Sequence, residues 1–239
     1  MLWGPVQVPG RMPRAGLLLL PLLLCFRPET VGSINTATLK QIVDHVNEYG
    51  VKAQYSFAVS LGQAYCQDGS PRKGLPSKKD LENMKKALNQ EDGLYDPDDG
   101  RIVAARVKYL NAVAREHSEW RLLHSDQNRK SPVQKLLART YGQNSCLIFF
   151  TLNSPCAGTC LRESGTYNIV DMVSDAFRPI SKNYKAFVFQ QIYPEGLMPQ
   201  DLLDAWHRLH DVPLLRCDNN DCRDCSKKDP NINRCLDRR

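Results

Sequence analysis

The sequence predicts an α/β domain, and two observations lead there. In the second half of the chain, short apolar runs of strand length alternate with segments of helical period, the order that produces parallel pairing with right-handed crossovers. The first half opens with a helix pattern followed directly by a strand pattern. With 239 residues, 42% of them hydrophobic, the chain can bury one sizeable core, so a single domain with appendages is expected.

Taken in order, residues 34–49 place Ile34, Leu39, Ile42, Val43, Val46 and Tyr49 three and four apart, the period of an amphipathic helix. Residues 53–62 alternate aromatic or aliphatic with small polar side chains, as a strand does. Residues 66–100 are rich in Gly, Pro, Asp and Lys, with one short helical stretch near 79–90, and read as an insertion without an assigned role. Order resumes at residues 101–107, and residues 115–124 suit a helix. Residues 146–152 form an apolar run that ends at Asn153-Ser154-Pro155, suited to a buried strand. A second helix is expected to begin at Pro155, followed by a helical segment near 168–178, a strand at 185–192, a helix near 199–210 and a cysteine-rich tail over 213–239.

The N-terminus carries Arg11 and Arg14, then an apolar run over residues 16–25, then the small residues Thr30-Val31-Gly32, the pattern of a signal peptide covering residues 1–32. That run is shorter than the roughly 20 residues a membrane span needs, and no later segment comes close. A secreted protein beginning near Ser33 is expected, with no membrane partner. Removing three arginines and one glutamate takes the formal charge from +6 to +4, which is only mildly basic. Arg72, Lys73, Lys78, Lys79, Lys85 and Lys86 are interleaved with Asp80, Glu82, Glu91 and Asp92, so they read as a solvated face and not as a nucleic-acid stripe.

Of nine cysteines, Cys25 leaves with the signal peptide. If Cys156 and Cys160 are reserved for a metal, Cys66, Cys146, Cys217, Cys222, Cys225 and Cys235 remain for three disulfides, in any of 15 pairings. The tail could also be read as a structural zinc site, or Cys222 and Cys225 as a redox pair, but an oxidising compartment favours bridges. Cys146, inside an apolar run, could instead be a buried thiol.

Two short motifs carry chemistry: His117-Ser118-Glu119 on the expected helix, and Pro155-Cys156-Ala157-Gly158-Thr159-Cys160 where a strand gives way to the next helix. On a helix, Cys156 and Cys160 would share a face, and the positive helix start would favour thiolates. One imidazole and two thiolates leave the fourth tetrahedral position of a Zn2+ ion open, which indicates catalysis and not scaffolding. Glu119, two residues from the ligand His117, is placed to move protons without being a ligand. The other histidines, His45, His124, His207 and His210, lack this glutamate. His207 and His210 flank a packing stripe of Leu202, Leu203, Trp206 and Leu209, and Trp120 reads as core.

His-x-Glu followed by Pro-Cys-x-x-x-Cys resembles the zinc-dependent cytidine deaminase superfamily. Ser154-Pro155-Cys156 is similar to its AID/APOBEC branch, and the signal peptide with extra cysteines resembles the secreted AID/APOBEC-like deaminases of vertebrates. The resemblance implies a cytidine-deaminase-like three-layer sandwich over residues 33–212, with a mixed five-stranded sheet flanked by helices. It implies zinc-dependent conversion of cytosine to uracil, in single-stranded DNA or RNA or in free pyrimidine nucleosides or nucleotides, with a role in immune defence. It further implies that the backbone of Ser154 faces the substrate amine, that the backbone N–H of Ser118 faces its ring oxygen, and that Tyr193 stands beside the flipped base. Where the AID/APOBEC branch has a tryptophan this chain has Asn153, and its cysteines are three residues apart instead of two. An inactive, stapled binding protein on the same fold is the reading from outside enzymology.

Overall fold

The first helix has both a cap and an apolar stripe. Asn35 accepts from the Ala37 and Thr38 amides at 2.8 and 3.4 Å, and α1 (Thr36–Asn47) buries Leu39, Ile42, Val43 and Val46 on one face. In the computed structural model the chain is described over residues 34–67, 74–112 and 114–237, with Met1 and Gly4; the expected signal peptide otherwise lies outside the described residues. Among them, no helix is long and apolar enough to cross a membrane.

After α1 come β1 (Tyr55–Gly62), the single turn α2 (Ala64–Gln67), α3 (Lys78–Leu88), β2 (Leu94–Tyr95), β3 (Ile102–Arg106), a small hairpin of β4 (Lys108–Tyr109) and β5 (Arg115–Glu116), and α4 (Ser118–Leu123). The chain continues through α5 (Pro132–Arg139), β6 (Ser145–Asn153), α6 (Val170–Phe177), β7 (Lys185–Gln191), α7 (Pro199–Trp206), β8 (Leu214–Cys217) and β9 (Cys222–Asp224). Seven strands form one mixed sheet in the order β2-β3-β1-β6-β7-β8-β9, with β6, β7 and β8 parallel and the other pairs antiparallel. The count exceeds the expected five because two short strands, β2 and β9, extend the edges.

Helices cover both faces of the sheet, giving three layers. On one face α1 and α3 pack over Phe57, Val59, Leu61, Ile148 and Phe150. On the other, α4 to α7 pack over Ala58, Leu147, Phe149, Phe187 and Phe189. Phe57 and Phe150 are cross-strand partners with rings stacked at 4.7 Å, a pair worth about 1 kcal/mol beyond its buried area. The alternation in β1 does not mark a wet face. Ser56 and Ser60 are fully buried, and their small side chains let the α4 layer approach while each hydroxyl bonds another buried hydroxyl.

Several segments read loosely from sequence are built into this sandwich. Within residues 66–100, Ser77 and Asp80 form a capping box for α3, whose Leu81, Met84 and Leu88 are buried against the sheet. Within the tail, β8 and β9 complete the sheet edge, and buried Arg216 donates to the carbonyls of Cys235 and Asp237 at 2.7 and 2.8 Å. All six expected cysteines pair, as Cys66–Cys146, Cys217–Cys222 and Cys225–Cys235, so Cys146 is bridged and the tail holds no zinc or redox pair. Helix α5 was not anticipated.

The helix expected from Pro155 does not form. Residues 157–161 make a turn in which the Leu161 amide bonds the Cys156 carbonyl at 3.0 Å, a wider closure than a helical turn. Gly158 interrupts the stretch, and Gly165, at φ +139, stands in the loop that follows. Trp120 lies at the margin of the core, stacked on His124 at 4.0 Å and donating to the Thr166 carbonyl.

Candidate functional site

The site lies where the C-terminal ends of the parallel strands β6 and β7 meet the start of antiparallel β1, the end of an open sheet at which ligands bind in α/β folds. Strand β6 delivers Thr151, Asn153 and, just past its end, Ser154 and Cys156. Strand β7 leads into Tyr193. The β4–β5 hairpin leads into His117, which is the N-cap residue of α4 and not a residue inside a helix, so Glu119 falls in the first turn.

His117, Cys156 and Cys160 converge. Their donor atoms all lie within 4.8 Å of one another, with His117 Nδ1 at 3.1 Å from Cys160 Sγ and 3.7 Å from Cys156 Sγ. Cys156 and Cys160 are the two buried free thiols among the described residues, whose other six cysteines are bridged. One imidazole and two thiols in a tetrahedral-sized space form a donor set that could hold a metal ion, and nitrogen–sulfur sets of this kind suit zinc.

The positive helix start expected to favour the thiolates is missing; neighbouring donors act instead. The hydrogen bond from Cys160, against the cost of burial and with help from His117, brings the Cys156 thiol down to about 4. Cys160, giving that bond and itself buried, is pushed well up. Burial disfavours the His117 proton, but the bond to Cys156 and the charges of Glu119 and Cys156 outweigh it and raise the imidazole.

Glu119 is 2% exposed. Its Oε1 accepts from Thr151 Oγ1 at 2.8 Å and its Oε2 from Ser118 Oγ at 3.1 Å. Burial raises its carboxyl above the ordinary range, partly offset by His117 and by the Thr151 bond. A polar relay holds this pair of hydroxyls: Gln54 Nε2 donates to Thr151 Oγ1 at 2.9 Å, Gln54 Oε1 accepts from the Asn153 amide at 3.1 Å, and Ser56 and Ser118 share a bond of 2.8 Å.

A cavity of about 210 Å3 opens on the group. The buried Glu119 and Cys156 lie at its floor with His117, the exposed Tyr109 and Arg115 at its mouth, and Gln54, Val107, Asn153, Ser154 and Tyr193 also line it. Tyr193 is fixed by its amide, which donates to Ser154 Oγ at 2.9 Å, and its hydroxyl accepts from Arg115 Nη2 at 3.4 Å. Ser118 does not line the cavity; its side chain is buried in the network behind Glu119. Cys160 lies deeper than Cys156. His207 and His210 lie elsewhere, bonded to the carbonyls of Ser226 and Arg208.

The chain reading missed Gln54, Ser56, Thr151, Tyr109 and Arg115. Thr151 had a signal, a lone hydroxyl inside an apolar strand, because a buried hydroxyl must find a partner. The others depend on which loops meet, which spacing does not reveal.

A mixed sheet between helical layers thus carries His-x-Glu at one helix start and two free thiols beyond the end of β6. The family described as Secreted Novel AID/APOBEC-like Deaminase 1 matches residues 36–239, and the chain belongs to it. No curated protein and no solved structure matches the chain with significance.

Proposed function

We propose that this is a secreted, zinc-dependent enzyme that hydrolyses the exocyclic amine of cytosine in single-stranded nucleic acid, leaving uracil and ammonia. The observation that carries the reading is the shared cavity: the buried Glu119 carboxylate, His117 and Cys156 all face one hollow of about 210 Å3.

His117, Cys156 and Cys160 would hold the zinc ion, which when bound supplies the Lewis acidity that makes water a nucleophile near neutral pH. Glu119 takes the first proton of the attacking water and passes it to the ring nitrogen beside the reacting carbon, then takes the second from the newly attached hydroxyl and delivers it to the departing amine, so that water plus cytosine balances uracil plus ammonia. A carboxyl raised by burial suits a group that must both take and give protons. The Ser154 carbonyl orients the base edge, Tyr193 flanks its ring, and Arg115 at the mouth suits an adjoining phosphate, while Ser118, buried behind Glu119, acts on the carboxylate and not on the base.

The test is uracil release from a labelled single-stranded oligonucleotide by the purified zinc-loaded protein, with Glu119→Gln as the control. Uracil formation lost in Glu119→Gln supports the reading; no turnover of any base by a fully loaded wild type overturns it in favour of a binding protein. Export is checked by recovering the chain from culture medium with an N-terminus near Ser33. The mild charge favours, as a second reading, a free pyrimidine nucleoside or nucleotide as substrate. Rates on cytidine and deoxycytidine against the oligonucleotide, with their salt dependence, separate the two.

A further inference from the structure

The turn between the two thiol donors is not held by helical bonds, so its amides need other partners. The amide of Cys160 reaches the Cys156 sulfur at 3.4 Å, and that of Leu161 reaches the Cys156 carbonyl. The amides of Ala157 and Gly158 both donate to one side chain: Glu195, whose Oε1 and Oε2 accept at 2.8 and 3.1 Å. This is a two-pronged, charge-assisted contact across 37 and 38 residues of sequence.

Glu195 sits on the loop that follows β7, two residues beyond Tyr193. That loop is tied down at three points. The Ser154 amide bonds the Gln191 carbonyl at 2.7 Å, the Tyr193 amide bonds Ser154 Oγ at 2.9 Å, and Glu195 grips the turn. The Glu195 amide also bonds the Tyr193 carbonyl at 3.0 Å, and Gly196, at φ +71, supplies the left-handed residue with which the loop turns away. One short segment therefore carries both the aromatic wall of the cavity and the carboxylate that fixes the spacing of the two sulfurs.

We propose that Glu195 is a positioning residue: its carboxylate clamps the Ala157–Gly158 amides so that the Cys156 and Cys160 donors and the Tyr193 wall are set as one rigid unit. The inference rests on the metal-site reading above but not on any particular substrate. Glu195 lines no part of the cavity floor and touches none of the donor atoms; it acts through the turn. Partners that orient metal ligands from outside the ligand shell change metal affinity by about tenfold or more when removed.

The experiment uses the full protein and metal readouts. Zinc transfer to a chelator is timed for wild type, Glu195→Ala, Glu195→Gln and the control Glu163→Ala, whose side chain is 88% exposed and pairs with Arg208. The visible spectrum of each cobalt(II)-substituted protein then reports donor geometry. Glu195→Ala should release zinc about tenfold faster and shift the cobalt bands, and Glu195→Gln, which keeps one acceptor oxygen and the side-chain volume, should fall between it and wild type, with Glu163→Ala unchanged. Should Glu195→Ala fail to fold, Glu195→Gln carries the test alone. Unchanged release and unchanged cobalt spectra in the Glu195 variants overturn the inference whatever the activity. A loaded wild type that turns over no base overturns the proposed reaction and leaves the role of Glu195 decided by these spectra.

Discussion

Thr151→Val isolates one bond to the proton-moving carboxylate. The two side chains are nearly isosteric and Thr151 is fully buried, so packing is preserved while two hydrogen bonds vanish: 2.8 Å to Glu119 Oε1 and 2.9 Å from Gln54 Nε2. A hydrogen bond to a charged group is worth about 1.5–3 kcal/mol. Glu119 keeps its second donor, Ser118 at 3.1 Å, which places the loss at the lower end, about 1.5 kcal/mol, and so about a tenfold fall in kcat. The sign on pH follows from the same bond. Thr151 favours the ionised carboxylate, so its loss pushes Glu119 further in the direction burial already drives it, and the acid limb of the rate profile moves to higher pH. The assay is kcat against pH on a single-stranded cytosine substrate, with zinc content measured in parallel and Thr151→Ser expected near wild type. A folded, zinc-loaded Thr151→Val with both kcat and acid limb unchanged would refute the reasoning.

In the metal-free protein the hydrogen bond from Cys160 holds the Cys156 thiol well below the ordinary thiol range, whereas Cys160, giving that bond and itself buried, is pushed well up. Iodoacetamide at pH 6 should therefore label Cys156 first, and zinc should protect it, as read by peptide mass spectrometry; equal labelling of the two, or no protection, contradicts the site. The Cys66–Cys146 bridge spans 80 residues against 10 and 5 for the tail bridges, so loop closure ranks their contributions at about 4.5, 2.7 and 2 kcal/mol. Paired Cys→Ala variants compared by urea denaturation should lose stability in that order, with the reverse order counting against the ranking. Arg115→Ala should weaken binding of a single-stranded oligonucleotide and reduce the magnitude of its log–log salt slope by about 1, with a smaller effect on free cytidine, which has no adjoining phosphate.

The parts of the molecule that were legible in the chain are those specified locally. Helices α1 and α7 announced themselves by apolar side chains three and four apart, β1 by alternation and β6 by an unbroken apolar run, because each helix buries one stripe and the central strands are covered on both faces. The metal-type donors were legible because an ion needs specific atoms, and only nitrogen and sulfur side chains supply them in this pattern. Helix α5 carried a signal that went unread: Ser131 and Gln134 form a capping box around Pro132 at the first helical position. The turn at Cys156–Cys160 was misread as a helix because a proline after a strand end is a helix-start signal. The amides of the turn bond instead to a carboxylate 37 and 38 residues further along the chain, at Glu195, and no local pattern contains that partner. The polar relay through Gln54 is illegible for the same reason: its members come from three separate stretches brought together by the register of β1 against β6.

The earliest described helix, α1, packs against the latest strand, β9, so the two ends of the fold are neighbours. Strand β8, on which β9 is laid, is itself paired to β7 and closes the edge of the sheet. A chain emerging from the ribosome thus cannot seat its opening helix in final form until residues 222–224 have been made. Its assembly waits on a strand from the far end of the fold, and a nascent chain stalled short of that point holds an open sheet edge ready to pair with another chain.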